Sequence, residues 1–580
     1  MKTFEKVMPF VKRNIFKLIF GIVLIVVIDA GQLYTIKIMQ QAIDALNETG
    51  FTQKMLLNAA LLIIGITLFI TFLRYFWRLA FIGTAWSMDR DLRQMYYDHL
   101  MKLSANFYNK TKTGDLMAYA TNDMNAIRML LAFGFVIGAD IIVIAVASLI
   151  FMIDISLKLT LLAILPAPFL SIIIIVFGKK IHKRFSKVQK TFASMSGIVQ
   201  ESISGIRVVK AFVQEEAELE KMSVSARDYM DENIGLVKIF ALFHPAMFLL
   251  INVCMGIVLI YGGQAAILKD ISMGEFVAFF QYLGMLVWPM IAVGWIVNLF
   301  QRGTASLKRL NSILGVDPEI VDKDINENID SLKGKISFKN LEFSYNDDTP
   351  KIFKGISFEI EAGKTLAIVG RTGCGKTTVI DLLSRVYNPP ENSIYFDDND
   401  IYKVPLETLR SNLVMVPQEI FLFSDTVANN ISLGKNKATR EEIVEVTKKA
   451  KVYSSIIEFE NGFDTVIGER GVTLSGGQKQ RLAIARALLT DPNILILDDA
   501  LSAVDTKTEK SILDDLIKMR KDKTTIIISH RISSIQHADK IIVLNEGKIE
   551  EEGNHKQLLT LNGIYADIYE KQQIEEKLSE

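Results

Sequence analysis

A glycine-rich segment in the second half of the chain has the residue pattern of a phosphate-binding loop. The segment GRTGCGKTT follows the apolar run TLAIV and places Gly370, Gly375, Lys376 and Thr377 in the spacing G-x-x-x-x-G-K-T. Glycines let backbone N–H groups curl around phosphate oxygens at the start of a helix. The lysine then reaches the terminal phosphates and the threonine hydroxyl can ligate Mg²⁺. The pattern predicts a phosphate-binding site whose loop comprises Gly370, Arg371, Thr372, Gly373, Cys374, Gly375, Lys376, Thr377 and Thr378.

A second apolar run ends in two carboxylates. The run NILILDD covers residues 493–499 and predicts a buried strand that leads to Asp498 and Asp499. Asp498 suits the coordination shell of Mg²⁺, and Asp499 occupies the position from which a base would orient the attacking water. Apolar residues followed by an acid are common in proteins. The prediction therefore depends on the placement of this run after the loop at 370–378.

A third segment, LSGGQKQRLAIARAL at 474–488, lies between the other two. Its Ser475, Gly476 and Gly477 are predicted to open a helix, whose free N–H groups can bind an anion. With Gln478, this segment resembles the signature of the ATP-binding-cassette (ABC) ATPases. The resemblance implies that each ATP is sandwiched between the phosphate loop of one subunit and the signature of the other.

The remaining motifs of that family follow in the family's order. Tyr345 resembles the aromatic residue that stacks on adenine, Gln418 the glutamine that senses Mg²⁺ and contacts the membrane domain, and His530 the switch histidine that holds the γ-phosphate. The resemblance thus implies Mg²⁺ ligation by Thr377, Gln418 and Asp498, and catalysis by Asp499 and His530. Two further segments resemble an exporter-specific loop and the loop that crosses the dimer: TVIGERG at 465–471, which contains Glu469, and SAVD at 502–505.

One residue departs from the family pattern. The family has Glu directly after the Walker B aspartate, and this chain has Asp499. The shorter side chain predicts normal ATP binding and slow hydrolysis at this chain's own site. With its intact LSGGQ, the chain resembles the degenerate-site subunit of heterodimeric multidrug exporters of Gram-positive bacteria (BmrC and LmrC type). This implies a partner chain with Glu at the equivalent position; a homodimer that tolerates Asp is the rival interpretation.

The composition indicates how these motifs are carried. Half of the 580 residues are hydrophobic and the mean hydropathy is +0.27, although 22% of the residues are charged. The apolar residues concentrate before about residue 298, and a mixed, charged sequence follows from about residue 333. The net charge is zero, so the chain lacks the basic signature of a nucleic-acid-binding protein. The two cysteines, Cys254 and Cys374, do not indicate a disulfide framework.

The first half contains apolar runs long enough to cross a bilayer, which takes about 20 residues. We expect a six-helix transmembrane domain with long cytoplasmic helical extensions, fused to an α/β P-loop ABC nucleotide-binding domain. The expected spans are 15–36, 56–82, 129–153, 158–178, 237–262 and 276–300. The expected domains are a transmembrane domain at 1–316, a linker at 317–333, a nucleotide-binding domain at 334–572 and a polar tail at 573–580.

The connections between these spans predict an orientation. Those at 83–128 and 179–236 are long and basic at their membrane borders, and the residues before the first span are basic as well. By the positive-inside rule, the long loops, both termini and the nucleotide-binding domain are cytoplasmic in a multi-pass protein of a bacterial cell membrane. The segments 109–128 and 201–216, polar at their ends and apolar in the middle, are predicted either to dock on another domain or to form solvated hairpins.

Charged residues inside the spans are functional candidates, because burying charge in a bilayer is costly. Asp29 lies in the first span and Asp140 in the third, while Arg74 and Arg78 lie in the second. Asp140 either lines the pathway or is a partnered structural carboxylate. The sequence does not distinguish these interpretations.

These features favour a subunit of an ATP-driven exporter for amphipathic or hydrophobic, drug-like compounds. A homodimeric lipid or peptide exporter is the alternative, and a channel or regulator on the same scaffold is a further one. A soluble ABC protein acting on DNA or ribosomes would lack the apolar first half. An importer is disfavoured, because its membrane subunits are usually separate chains.

Overall fold

The computed structural model of the protein describes residues 4–46, 52–346, 349–435, 437–468 and 474–579. The chain forms two compact units. The first comprises Met1–Leu100 and Thr113–Val316, and the second comprises Met101–Lys112 and Asp317–Glu580. The short segment 101–112 therefore packs with the second unit, although it is flanked on both sides by helices of the first.

The described part of the first unit is helical. The short helix α4 lies between α3 and α5 in the sequence but belongs to the second unit. Three π-helical turns, Tyr119–Asp123, Leu130–Gly134 and Val258–Gly262, connect neighbouring helices. The α-helices are α1 (Met8–Arg13), α2 (Ile15–Ala45), α3 (Gln53–Leu100), α4 (Ala105–Lys110), α5 (Thr113–Ala118), α6 (Met124–Met129), α7 (Phe135–Ile155), α8 (Leu157–Ile164), α9 (Ala167–Ser204), α10 (Ile206–Ala211), α11 (Glu215–Ile257), α12 (Gly263–Ile267) and α13 (Met273–Leu314).

Five helical stretches among the described residues are long and apolar enough to cross a membrane: Ile15–Ala45, Gln53–Leu100, Thr113–Ile155, Glu215–Ile267 and Met273–Leu314. They contain five of the six expected spans. The expected span 158–178 is divided between α8 and α9, which are separated at Leu165 and Pro166. Proline has no N–H to donate and breaks the helical ladder at this point. The count of six is therefore not confirmed, whereas the expected continuation of the apolar helices beyond the spans is confirmed.

The helices of the first unit carry apolar residues on their outer as well as their inner faces. In α3, only 6% of the most apolar 18-residue window is buried within the chain. Exposed apolar surface of this kind is typical of helices that face lipid. Inside the unit, Phe279 and Tyr282 of α13 pack into a cluster with Met152 of α7.

The second unit contains two sheets. The four-stranded sheet has the order β2-β1-β4-β5, and the six-stranded sheet has the order β10-β9-β3-β8-β7-β6. The strands are β1 (Ile336–Phe343), β2 (Phe353–Ile360), β3 (Thr365–Gly370), β4 (Ile394–Phe396), β5 (Asn399–Asp400), β6 (Leu413–Val416), β7 (Ile494–Asp498), β8 (Thr524–Ile528), β9 (Lys540–Asn545) and β10 (Lys548–Gly553). The helices are α14 (Lys376–Leu383), α15 (Leu406–Asn412), α16 (Val427–Ser432), α17 (Arg440–Lys449), α18 (Tyr453–Ile457), α19 (Gly476–Leu489), α20 (Thr506–Met519), α21 (His555–Leu561) and α22 (Ile564–Ser579).

The larger sheet positions the predicted motifs. Strands β3, β8 and β7 are parallel neighbours, and their apolar runs are buried on both faces, as expected where helices cover both sides of a parallel sheet. The glycine-rich loop follows β3, Asp498 ends β7, and His530 follows β8 by two residues. These three motifs therefore lie at the carboxyl edge of one sheet, where open α/β sheets bind their ligands.

Candidate nucleotide site

The loop after β3 has the backbone that phosphate binding requires. Gly373 and Gly375 have φ values of +84° and +100°, a region that side chains with a Cβ rarely adopt. A Cβ on Gly375 would also lie 2.8 Å from the ring of Phe353. Lys376 begins α14 and is buried, and its Nζ donates to the carbonyl oxygens of Gly370 (2.9 Å) and Arg371 (3.0 Å). The predicted lysine is thus held inside the loop at the start of a helix.

The hydroxyl of Thr377 donates to Oδ2 of Asp498 across 3.2 Å, which joins the loop to the end of β7. Burial raises the pKa of Asp498, and the neighbouring Asp499 carboxylate raises it further, whereas the Thr377 hydrogen bond and the nearby Lys376 and His530 side chains lower it. A hydroxyl beside a buried carboxylate is the hard-oxygen donor set that Mg²⁺ prefers. Thr377 and Asp498, two of the three residues predicted to hold the metal, therefore fit it.

Asp499 lies one residue beyond β7, in a left-handed backbone conformation with φ of +46°. Its N–H donates to the carbonyl of Ile528 in β8 (2.8 Å), which fixes the turn. Aspartate and asparagine tolerate this conformation better than most residues. His530 is exposed at the same edge of the sheet.

Tyr345 lies beside the helix that follows the loop. Its hydroxyl shares a hydrogen bond of 2.9 Å with Oγ1 of Thr378, and its ring packs edge-on against Phe343 and Tyr387, with centroids 5.2 and 4.8 Å away. Burial raises the pKa of Asp381 of α14 to about 6, and the nearby Asp498 carboxylate adds to this effect, whereas a hydrogen bond donated by the Tyr345 hydroxyl opposes it. The carboxyl groups of Asp381 and Asp498 are therefore within electrostatic range of each other.

Gln418 is exposed and follows β6, the strand next to β7, by two residues. Because Val416 pairs with Leu497 in the parallel register, Gln418 lies at the same carboxyl edge as Asp499. Glu469, with Arg470 and Gly471 of the TVIGERG segment, lies outside the described residues.

The signature residues form the start of α19. Ser475 Oγ accepts from the backbone N–H of Gln478 (3.3 Å), and Gln478 Oε1 accepts from the N–H of Ser475 (3.0 Å), which forms a complete capping box. Among the described residues, neither side chain hydrogen-bonds the loop at 370–378. A Cβ on Gly477 would lie 2.8 Å from the carbonyl oxygen of Ala503, so this glycine permits close approach of the 502–505 loop.

Two residues that were not predicted hold the 502–505 loop in place. Gln480 is buried, and its amide donates to Ser502 Oγ (3.0 Å) and accepts from the N–H of Ala503 (2.9 Å). Arg531 donates to the carbonyl of Ser502 (3.1 Å) and to the buried carboxylate of Glu509 (2.5 Å). Gln480 lies three and four residues before the buried Ala483 and Ile484, so helical periodicity places it on the buried face of α19. This is the signal by which it could have been found.

The segment 101–112 forms a second cluster of polar contacts. Ser104 donates to Glu319 (2.8 Å), Asn109 donates to the hydroxyl of Tyr387 (2.5 Å), and Lys110 Nζ donates to the side chain of Asn346 (3.1 Å). The first residues of the predicted docking segment 109–128 share these contacts, and Thr113 onward belongs to the first unit. Docking of this segment on another domain stays a prediction.

The other predicted docking segment, 201–216, contains the six-residue helix α10. Ile206, Val208, Phe212 and Val213 of this segment are exposed in the chain.

Comparison with known proteins identifies the family of the chain. Residues 18–290 match the family described as ABC transporter transmembrane region, and residues 353–502 match the family described as ABC transporter. The chain is 39% identical over 559 residues to the "Probable multidrug resistance ABC transporter ATP-binding/permease protein YheI" of Bacillus subtilis, which covers 96% of this chain and 95% of that protein. It is 34% identical to the "ATP-dependent lipid A-core flippase" of Desulfotalea psychrophila, over 98% of this chain and 99% of that protein.

A solved structure is also similar. The structure of a bacterial Atm1-family ABC exporter with ATP bound superposes with a TM-score of 0.79 at 29% identity, and the match covers 96% of this chain and 99% of that one.

The two-part fold and the site at the sheet edge define an ATP-hydrolysing, transport-coupled membrane protein. The chain belongs to the ABC transporter family, and within it to the exporters of multidrug-resistance type.

Proposed function

We propose that this chain is one half of a heterodimeric exporter that moves amphipathic, drug-like compounds out of the cytoplasm or the inner leaflet. In this proposal the chain carries the ATP site that hydrolyses poorly. The single observation that carries the proposal is Asp499, which stands where the family has Glu.

The chemical argument concerns reach. An aspartate carboxylate is one methylene shorter than a glutamate carboxylate, so it falls about 1 Å short of the water that a base must orient. Misplacement on that scale costs about 10²-fold in rate. The loop, Lys376 and Thr377 remain complete, so the same site should bind ATP normally.

The intact signature segment supports a heterodimer with one active and one weak ATP site rather than a protein that has lost its ATPase function. The capping box of Ser475 and Gln478 leaves the start of α19 ordered and exposed, and Gly477 keeps the 502–505 loop close to it. This end can complete the competent site of a partner chain whose own Walker B carries Glu. The two chains would then share one active and one weak site.

Each predicted residue has a role in binding nucleotide. Lys376 and the loop glycines would hold the phosphates, Tyr345 would stack on the adenine, and His530 would contact the γ-phosphate. Thr377 and Asp498 would hold Mg²⁺, with Gln418 reaching it when the site closes. The ion supplies positive charge that neutralises the transferring phosphoryl group.

The membrane part is proposed to have six spans, with α8 and the start of α9 forming the fourth around Pro166. Both termini and the nucleotide-binding domain would be cytoplasmic. We retain the boundaries 1–316, 317–333, 334–572 and 573–580 for the membrane domain, linker, nucleotide-binding domain and tail.

The proposed cycle follows from two-state coupling. ATP at both sites favours closure of the nucleotide domains, and a ligand shifts such an equilibrium only by its differential affinity for the two states. The segments 109–128 and 201–216 would pass closure to the spans, and hydrolysis at the partner's site would reset the cycle.

A homodimeric lipid exporter is the second candidate, because one relative of nearly full length is named for a lipid flippase. Hydrolysis by the purified chain alone distinguishes the two candidates. Exporters with competent sites are expected to turn over ATP at roughly 1–10 per second. The heterodimer proposal predicts that the chain alone is about 10²-fold slower and that Asp499→Glu raises its rate at least tenfold.

The matched control is Lys376→Met in the Asp499→Glu background, which should remove the gain by removing ATP binding. Turnover of the unaltered chain at ordinary exporter rates would refute the heterodimer proposal. ATP-driven uptake of a fluorescent drug-like dye into inside-out vesicles tests the export function separately.

A further inference from the structure

Three charged side chains lie at one level of the first unit, on α2, α3 and α7. Asp29 of α2 is only 1% exposed, and its Oδ2 has no hydrogen-bond partner among the described residues. Asp140 of α7 is half-buried, and Arg74 of α3 is exposed. The carboxyl groups of Asp29 and Asp140 are within electrostatic range of each other, and Arg74 is within range of both.

The helix packing places these residues together independently of their charges. Gly21 of α2 faces the ring of Phe81 on α3, and Gly31 faces Ile70, so the two helices run antiparallel. This register puts Asp29 opposite the turn of α3 that holds Arg74. On the other side, Ile25 and Val136 share a cluster with Phe81. Asp29 and Asp140 each follow those residues by four positions, which is about one helical turn.

The charges at this level do not balance. Two carboxyl groups face a single guanidinium, that of Arg74, which is within electrostatic range of both. A buried carboxylate oxygen without a hydrogen bond is costly in a protein interior, and more so at membrane depth. A positively charged group delivered to this level would relieve that cost.

The adjoining turn is apolar and aromatic. Trp77 and Phe81 pack edge to face with centroids 6.3 Å apart, beside Ile25 and Val136. The indole Nε1 of Trp77 is buried and also has no hydrogen-bond partner among the described residues. Carboxylates next to aromatic rings suit a cation with an apolar body, since both attract positive charge.

We propose that Asp29 and Asp140 form the anionic part of the cargo site and bind the charged group of a lipophilic organic cation. Asp140, being half-buried, is the first carboxylate that the cation meets, and Asp29 holds it within the helix bundle. The inference rests on the proposed export function, whose cargo class it narrows.

Binding of tetraphenylphosphonium to the full-length chain in detergent, without ATP, tests the site. Triphenylphosphine oxide, which has similar rings and no net charge, is the matched neutral probe. We expect Asp29→Asn and Asp140→Asn each to raise the Kd for the cation at least tenfold and to leave the Kd for the neutral probe unchanged. Asp154→Asn, which removes an exposed carboxylate from the same helix α7, should change neither.

The melting temperatures of the two Asn variants, compared with that of the unaltered chain, show whether either substitution causes a folding defect. Asp140→Glu, which keeps the charge, should retain cation binding. Equal cation affinity in the unaltered chain and both Asn variants would overturn the inference, as would an unaltered chain that does not bind the cation. If the unaltered chain shows no ATP-driven dye uptake but still binds the cation in a way that depends on Asp29 and Asp140, the export function is refuted and the binding site is not.

Discussion

Asn109 donates a 2.5 Å hydrogen bond to the hydroxyl of Tyr387, whose ring packs against Tyr345 with centroids 4.8 Å apart. Tyr345 in turn shares a hydrogen bond with Thr378 of α14. A continuous series of contacts therefore leads from the segment 101–112 to the helix that begins at the phosphate loop. Packed side chains of this kind are the physical means by which one site influences another, provided that coupling is demonstrated.

Removing the Tyr387 hydroxyl should weaken that coupling. Tyr387→Phe keeps the ring against Tyr345 and loses the bond from Asn109, so we expect ATP affinity to stay the same. Stimulation of ATP hydrolysis by transported compounds should fall about threefold to tenfold, the equivalent of roughly 1 kcal/mol of coupling. Tyr395→Phe, on β4 of the same unit, is the control. If transported compounds stimulate ATP hydrolysis equally in Tyr387→Phe and the unaltered chain, the hydrogen bond between Asn109 and Tyr387 does not contribute to the coupling.

Gln480 should matter to hydrolysis although it lies below the signature surface. Gln480→Ala leaves the N–H of Ala503 and the hydroxyl of Ser502 without their partner, which costs about 1–3 kcal/mol and loosens the 502–505 loop. We expect ATPase activity of the assembled exporter to fall at least tenfold, with nucleotide binding to this chain retained. Lys479→Ala, the preceding position, should leave the activity unchanged; an equal loss in both variants would contradict the role assigned to Gln480.

Asp381 should make the second unit less stable at neutral pH than at acidic pH. Its pKa of about 6 lies above the usual 3.8, so the folded state holds a proton that the unfolded state has released. Stability from this group therefore falls as the pH rises from about 4 to about 6 and is constant above that.

Asp381→Asn removes the loss of stability that ionisation of the buried carboxyl causes. In the nucleotide-free chain with EDTA, we expect the variant to be more stable at pH 8 by about 1–2 kcal/mol, a figure reduced for solvent screening of a half-buried group. The gain should shrink toward zero near pH 4. Thermal melting across this pH range measures it, and a gain independent of pH would contradict the assignment. Asp397→Asn, by contrast, should destabilise the unit, because that carboxylate accepts three backbone N–H bonds from residues 333–335.

Asp123, unlike Asp381, should make the protein more stable at neutral pH than at acidic pH. Burial alone would raise its pKa, but hydrogen bonds from Arg309 and Ser306 lower it below its usual value. The stabilisation is therefore present above about pH 4 and is lost as the pH falls through the lowered pKa. Asp123→Asn should lower stability by about 1–3 kcal/mol at pH 7, measured by melting in detergent.

The contrast with the unaltered chain should narrow at acidic pH, where the unaltered chain loses the same ion pair. Asp154→Asn, which removes an exposed carboxylate of the first unit, is the control. A difference that widens as the pH falls would refute the assignment.

Local signals in the sequence were sufficient for the nucleotide motifs. The loop at 370–378, Asp498 and Ser475 each depend on a short segment whose backbone is dictated by glycines, a buried strand or a cap. Their meeting at one sheet edge follows from the parallel arrangement of β3, β7 and β8, which apolar runs of this length predict.

Tertiary relationships were not accessible in the same way. The sequence identifies Asp29 and Asp140 separately, but only the register of α2 against α3 and α7 puts them side by side. The turn at 101–112 was missed because hydropathy does not report where a long helix ends beyond its apolar run. The helix is broken at Pro166 within a run that remains apolar, so hydropathy alone does not detect the end of α8 and the start of α9.

The left-handed backbone at residue 499 bears on how such a transporter evolves. Because aspartate is as well suited as any residue with a Cβ to φ of +46°, exchanging Glu for Asp there leaves the fold intact. Their codons differ only in the third base. If the proposed heterodimer is correct, one third-position substitution after a gene duplication would suffice to make one copy the slow hydrolyser, and a single reversal could restore it. The proposed division of hydrolysis between two chains would then need only one base change in either direction.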